Sequence, residues 1–219
     1  MIYLFCNLQF GKRFLEMAGQ VSRQQHARIT IVFSDKYRSS TSGKPWSTVS
    51  SFLKDCIERY RFASRESMSL LKVADVNSPE FTRRIHPADH GIVAGFNQIF
   101  REDTIRRFAS LVNFHPSILP LYRGPVPSYW CIANGEDTTG FTLHAITSRI
   151  DAGKILTQGS LPVGSITDAG DLDQAIAGRA METFRAYLRL LQTGEEIQRN
   201  ILDTKAIYKK HIDYASFPK

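Results

Sequence analysis

Four short, mostly apolar runs constrain this chain more than any other feature: IYLFC (in 1–6), ARITIVFS (27–34), HGIVAGF (90–96) and LVNFH (111–115). Runs this continuous suit strands buried on both faces, and such strands belong to sheets whose parallel crossovers lay helices over each side. The segments between them have helical period. Residues 11–25 carry Phe14, Met17, Ala18 and Val21 on one side, 47–61 reads as a helix, and Ser78 followed by Pro79 caps a helix over 79–86. LLKVADV (70–76) supplies a further strand and 102–109 a further helix. This alternation predicts an α/β fold, a mostly parallel twisted sheet with helices on both faces.

Beyond residue 116 the pattern changes. Residues 127–135 read as a short helix ended by Gly135, and 140–147 and 153–163 as two strands around a turn. A long amphipathic helix over 168–192 carries Leu172, Ile176, Ala180, Phe184, Tyr187 and Leu191 in one stripe, which reads as core. One domain over 1–192 is expected, with a short C-terminal extension over 193–219 that forms a hairpin or a dimer contact through Ile201, Ile207, Tyr208, Ile212 and Tyr214. The polar loop at 35–46 is long for a connection inside a compact domain.

Charge and cysteine usage narrow the functional classes. No stretch reaches the roughly 18 apolar residues of a membrane span. The N-terminal run lacks the basic flank and cleavage site of a leader, so it reads as a first strand. Cys6, Cys56 and Cys131 are odd in number and far apart, the pattern of reduced structural thiols, and the expected location is cytoplasmic. A net charge of +7 favours an anionic partner. The cations are dispersed, which suits a phosphate-bearing small molecule as well as nucleic acid, and no zinc-finger spacing or RNA-binding aromatic motif supports the latter.

Candidate chemistry sits at strand ends. Asn113 and His115 interrupt the apolar run LVNFH just before the stiff loop PSILPLYRG, and Asp151 lies in a turn before Gly153. Ligands of open α/β sheets bind outside the carboxyl ends of the strands, where both groups fall. An amide and a protonated imidazole can donate to an oxyanion while a carboxylate takes a proton from an attacking amine, and this set suits acyl transfer. No serine or cysteine stands in an activated motif, so direct transfer is favoured over a covalent intermediate. Each residue also has a plain structural role open to it: a turn cap for Asn113, a satisfied edge histidine for His115, an ordinary turn residue for Asp151. His115, His144 and Asp151 match no metal-ligand spacing, and His144, in mid-strand, reads as a wall of the site.

Taken together, NFHPSILPLYRG, IDAGKIL about 35 residues later, GIVAGFNQIF before and GFTLHAIT between resemble the 10-formyltetrahydrofolate-dependent formyltransferases, densely over 90–163 and loosely over the whole frame. The resemblance implies a Rossmann-like formyltransferase fold, with Asn113, His115 and Asp151 as the catalytic set. It also implies no metal, and a pterin lying along Phe96, Asn97, Gln98, Ile99 and Phe100, with Ile150 in the loop closing the other side. Asn113 and His115 would stabilise the oxyanion, and Asp151 would help move protons off the amine.

Within that family three acceptors compete. A glycine-rich phosphate loop near the first strand, expected for glycinamide ribonucleotide, is replaced here by FCNLQFGKRF. The residues after 192 are too few for the C-terminal barrel of methionyl-tRNA formyltransferases. FCNLQFGKRFLE and RGPVPSYWCIANGEDTTGFTLH are most similar to formyltransferases of nucleotide-linked amino sugars, a group serving lipopolysaccharide O-antigen synthesis. The implied partners are the folate and a nucleotide-sugar acceptor, with neither nucleic acid nor membrane. Ser117, Arg123, Gly124 and Tyr129 are the candidate acceptor contacts, and Lys12, Arg13, Lys36, Arg38, Lys44 and Trp46 are further candidates for phosphate or base. Another small amine, or a non-catalytic folate-binding module, is the alternative.

Overall fold

The computed structural model describes residues 1–6, 8–34, 63, 65–66 and 68–193. Seven strands form one sheet: β1 (Ile2–Cys6), β2 (Ile29–Phe33), β3 (Ser69–Lys72), β4 (His90–Ala94), β5 (Ser110–His115), β6 (Thr138–Ala145) and β7 (Ile155–Pro162). Their order is β3-β2-β1-β4-β5-β6-β7. The first five pair in parallel and the last two antiparallel, which gives the mostly parallel α/β sheet that the apolar runs predict.

Alternation along β1 sorts the core into two layers. Ile2, Leu4 and Cys6 join a cluster under α1 (Leu8–Gln25) and the last helix, while Tyr3 and Phe5 face the other side with Val93, Phe100 and Leu111. That second side is covered by two single-turn helices, α2 (Pro79–Thr82) and α3 (Glu102–Ile105), each shorter than its helical pattern suggested. Ser78 accepts from the Phe81 N–H at 3.3 Å and Pro79 fills the first turn, as the Ser-Pro pair predicts. α4 (Pro127–Ala133) ends before Gly135, whose φ of +66° suits glycine. α5 (Ala169–Thr193) packs along α1, and Asp168 caps it by accepting from Gly170 and Asp171 N–H.

α1 begins at Leu8, directly after β1, and so starts earlier than its apolar stripe implied. Gly11 permits this, since a Cβ there would approach Cys6 Cβ to 2.6 Å and the Ala94 carbonyl oxygen to 3.1 Å. The expected 35–46 loop, the 47–61 helix and the extension beyond Thr193 lie outside the described residues, and with them Lys36, Arg38, Lys44 and Trp46. Among the described residues no helix is long and apolar enough to cross a membrane.

Candidate active site

β5 carries the site because its two faces do different work. Val112 and Phe114 point into the α1/α5 layer, where Phe114 meets Phe14 at 5.0 Å and Phe184 at 5.7 Å between ring centres. Asn113 and His115 therefore project from the opposite face, as period-2 geometry requires. The antiparallel register sets Asn113 opposite His144 and His115 opposite Thr142. Residues facing each other across such a pair share a side of the sheet, so His144 joins the cluster.

Asp151 closes it. Its backbone adopts φ +45°, a left-handed conformation aspartate tolerates better than most residues. Two residues on, Gly153 passes so close to the Ala145 carbonyl that any Cβ would collide with that oxygen, which is the physical reason for the Asp-x-Gly spacing. The turn delivers the carboxylate between the strand-end groups. Oδ1 lies 3.4 Å from Asn113 Nδ2 and 3.5 Å from His144 Nε2, and Oδ2 lies 3.6 Å from His115 Nδ1. Gly124 N–H donates to Oδ2 at 2.7 Å. The predicted amide, imidazole and carboxylate meet.

The hydrogen bonds fix the histidine tautomers. His115 Nε2 faces the Tyr122 carbonyl oxygen at 2.8 Å and must carry the proton there, leaving Nδ1 toward Asp151. Burial pushes the His115 imidazole below its ordinary value, against the opposing pull of Asp151, so at neutral pH the ring is neutral and Nδ1 is a lone pair. Burial pushes Asp151 up, but the His144 hydrogen bond, the charge of a protonated His115 and the Gly124 N–H outweigh it and hold the carboxyl at about 2. With His115 neutral, the Gly124 N–H is a donor that favours the anionic form of Asp151. His144 Nδ1 faces the Ala145 carbonyl oxygen at 2.9 Å, and Nε2 faces Asn113 Nδ2 at 3.2 Å. The cluster is thus a carboxylate ringed by an amide, two imidazoles and a backbone donor. Among the described residues no group of three or more His, Cys, Asp or Glu is arranged to hold a metal ion.

Beneath this ring a buried polar network locks the loop that follows β5. Thr142 Oγ1 donates to the Ser117 carbonyl oxygen at 2.7 Å and accepts from Leu119 N–H and Gln158 Nε2, and Gln158 Nε2 also reaches the Leu119 carbonyl at 2.8 Å. Thr142→Val strands these buried groups and is expected to cost about 1–3 kcal/mol. A urea titration reads that loss as a lower midpoint at unchanged slope.

Several acceptor candidates also take part in this scaffold. Ser117 is buried and its hydroxyl donates to the Leu121 carbonyl at 2.7 Å, so it holds the loop. Gly124, at φ +92°, gives its N–H to Asp151 and so belongs to the ring. Arg123 leaves its Nε buried without a partner, while Tyr129 is exposed and meets Trp130 edge-on at 5.2 Å. Arg13 of α1 lies against Gly178 of α5, and Lys12 is exposed.

The segment proposed for the pterin leaves β4 beside the ring, since Val93 pairs with Asn113. Phe96 is half-buried against Phe5, with ring centres 5.4 Å apart, and Phe100 is buried. Asn97 is exposed. Gln98 Oε1 accepts from Val76 N–H at 2.9 Å and its Nε2 donates to the Ala74 carbonyl at 3.2 Å, so its side chain ties the segment to the loop after β3. Ile99 is 65 % exposed and Ile150, beside Asp151, is 53 % exposed, so two large apolar side chains stand uncovered at the edges of the site.

His144, Thr142, Gln158 and the Tyr122 carbonyl are the site residues that sequence reasoning left out or set aside. The pairing of β5 with β6 was the signal for the first two, because one shared register places both opposite the known pair.

Comparisons with known proteins agree with this fold. Methionyl-tRNA formyltransferase from Geobacter sulfurreducens is 32% identical over 139 residues, which cover 63% of this chain and 44% of that protein. The enzyme of the same description from a Roseiflexus species is 40% identical over 106 residues, 46% of this chain and 33% of that protein. The chain thus spans less than half the length of these relatives. In solved structures the fold recurs in a glycinamide ribonucleotide transformylase from Symbiobacterium toebii, with TM-score 0.65, 19% identity and coverage of 88% of this chain and 87% of that one. It recurs in an N-formyltransferase from Helicobacter canadensis in complex with folinic acid and dTDP-3-aminofucose, with TM-score 0.64, 18% identity and coverage of 88% and 64%. A sequence profile described as formyl transferase matches residues 10–188, Asn113, His115 and Asp151 included, and the chain belongs to that family.

Proposed function

We propose that this protein transfers a formyl group from 10-formyltetrahydrofolate to the amino group of a nucleotide-linked amino sugar. The observation that carries the reading is the meeting of Asn113, His115 and Asp151 at the open end of β5, beside the exit of β4. Attack by the amine forms a nitrogen–carbon bond and places negative charge on the formyl oxygen. Asn113 Nδ2 is the ready donor for that charge, because its contact to Asp151 is long at 3.4 Å and is easily exchanged for a bond to the oxyanion. Asp151 takes the proton released by the amine, and the neutral His115 Nδ1 next to it receives and returns it. Expulsion of the folate nitrogen, reprotonated from this pair, completes the transfer.

The folate fits the segment set aside for it. Ile99 and Ile150 offer exposed apolar contact, Phe96 offers a half-buried aromatic wall, and the Gln98 brace presents main-chain groups in fixed positions. For the acceptor, the shared fold with the Helicobacter canadensis enzyme, the exposed Tyr129 and the unpartnered Nε of the half-buried Arg123 support a nucleotide sugar. Use of a soluble nucleotide sugar suits a cytoplasmic enzyme. A dimer through the residues after Thr193 accompanies the proposal.

Sequence identity favours a second acceptor, methionyl-tRNA, through the two relatives above. Purified protein is expected to release tetrahydrofolate from 10-formyltetrahydrofolate only when a dTDP-linked amino sugar is added. Release with charged methionyl-tRNA and none with amino sugars overturns the sugar reading. Release with no amine at all overturns transfer itself.

A further inference from the structure

We propose that the cavity between α2 and α3 is a second ligand site, one that takes a compact polyanion bearing phosphate or carboxylate groups. The cavity has a volume of about 350 Å³, and Arg83, Arg101 and Arg107 all line it. None of Asn113, His115 and Asp151 does, so it is separate from the catalytic ring. Local structure explains why three cations converge. Arg83 caps the end of α2, Arg101 caps the start of α3, and Arg107 follows one turn after.

Among the described residues none of the three guanidinium groups is ion-paired, and all three residues are exposed. Their neighbour Arg106 differs: it points elsewhere and pairs with Glu102 at 3.0 Å. Among the described residues Asp103 is the one carboxylate lining the cavity, against three arginines, so this lining keeps a surplus of two positive charges. Like charges around one cavity repel unless an anion lies between them. Guanidinium forks match the oxygen spacing of phosphate and carboxylate, and several forks around one cavity suit a multiply charged group.

The floor of the cavity is rigid. Asn77 lines it and locks α3 in place, its Oδ1 accepting from Arg101 N–H at 2.7 Å and Thr104 Oγ1 at 3.0 Å. Its Nδ2 donates to the Ile99 carbonyl at 2.9 Å, which ties the cavity to the 96–100 segment. A pocket with a fixed floor and unpaired cations around it can meet an anion without first breaking an ion pair.

Isothermal titration at near-physiological salt tests this with inorganic pyrophosphate and tricarballylate as probes. Saturable binding of at least one is expected in the wild type. Arg83→Ala combined with Arg107→Ala weakens it by about tenfold or more, as loss of two charge-assisted contacts implies. Arg101→Gln, a milder change, weakens it in the same direction, and Arg106→Ala leaves it unchanged. Tighter binding of pyrophosphate points to a phosphate-bearing ligand and tighter binding of tricarballylate to a carboxylate-bearing one, and either order upholds the site. No saturable binding of either probe, or equal binding by wild type and the double variant with native circular dichroism, overturns it.

Discussion

Asp151→Asn is expected to lower kcat by on the order of 10²–10⁴ while KM for the folate changes little. The amide keeps the shape of the carboxylate and can still accept from Gly124 N–H, but it cannot take a proton. It also removes the anion beside His115 and His144, so the ring loses its only negative charge. Steady-state release of tetrahydrofolate checks this, and a variant within about fivefold of wild type would remove Asp151 from the proton path.

The same substitution has a signature in stability. The Asp151 carboxyl is held at about 2, below its ordinary 3.8. Between those values the unfolded chain binds the proton and the folded chain does not, so stability rises with pH across the window. Its contribution is complete above about 4 and fades as pH falls toward 2. The asparagine variant is therefore expected to show a flatter dependence of unfolding midpoint on pH in that acid range, an effect that no purely catalytic loss would produce.

How much of this could be seen before any coordinates follows from what each signal depends on. Burial on both faces writes itself directly into composition, so β1, β2, β4 and β5 were plain from their apolar runs. Ser78-Pro79 announced a helix start through local chemistry, which needs no partner elsewhere in the chain. Helix ends were less legible: α2 and α3 stop after one turn, although polar residues continue at helical spacing beyond them. Propensity does not report where packing against the sheet ceases.

The site divides the same way. Asn113 and His115 stood out as polar residues in an apolar strand, and the Asp-x-Gly turn marked Asp151. His144 read only as a wall of the site, because its place against Asp151 comes from a cross-strand register that no local pattern encodes. Thr142 and Gln158 read as ordinary polar strand residues, yet sit buried under the ring. Ser117 and Gly124 carry a scaffold role that their residue types did not announce: hydroxyl and N–H turn inward to hold the loop and the carboxylate.

His115→Gln isolates the imidazole from the scaffold around it. A glutamine can still donate to the Tyr122 carbonyl, so the loop keeps its anchor, but no side-chain atom can then accept a proton facing Asp151. A kcat loss on the order of 10²–10³ is expected, with the thermal midpoint near that of wild type. Wild-type activity should fall on the acid side, because burial holds the imidazole below its ordinary 6.5 and protonation there removes the lone pair at Nδ1. The sign for folding is the same: just below the ordinary value the unfolded chain binds the proton first, so this histidine's contribution fades as pH drops toward its folded value. The glutamine variant should lose both slopes together. If its rate still falls with acid as the wild type's does, the titrating base is a different group, and His144, which touches the same carboxylate oxygen as Asn113, becomes the residue to replace next.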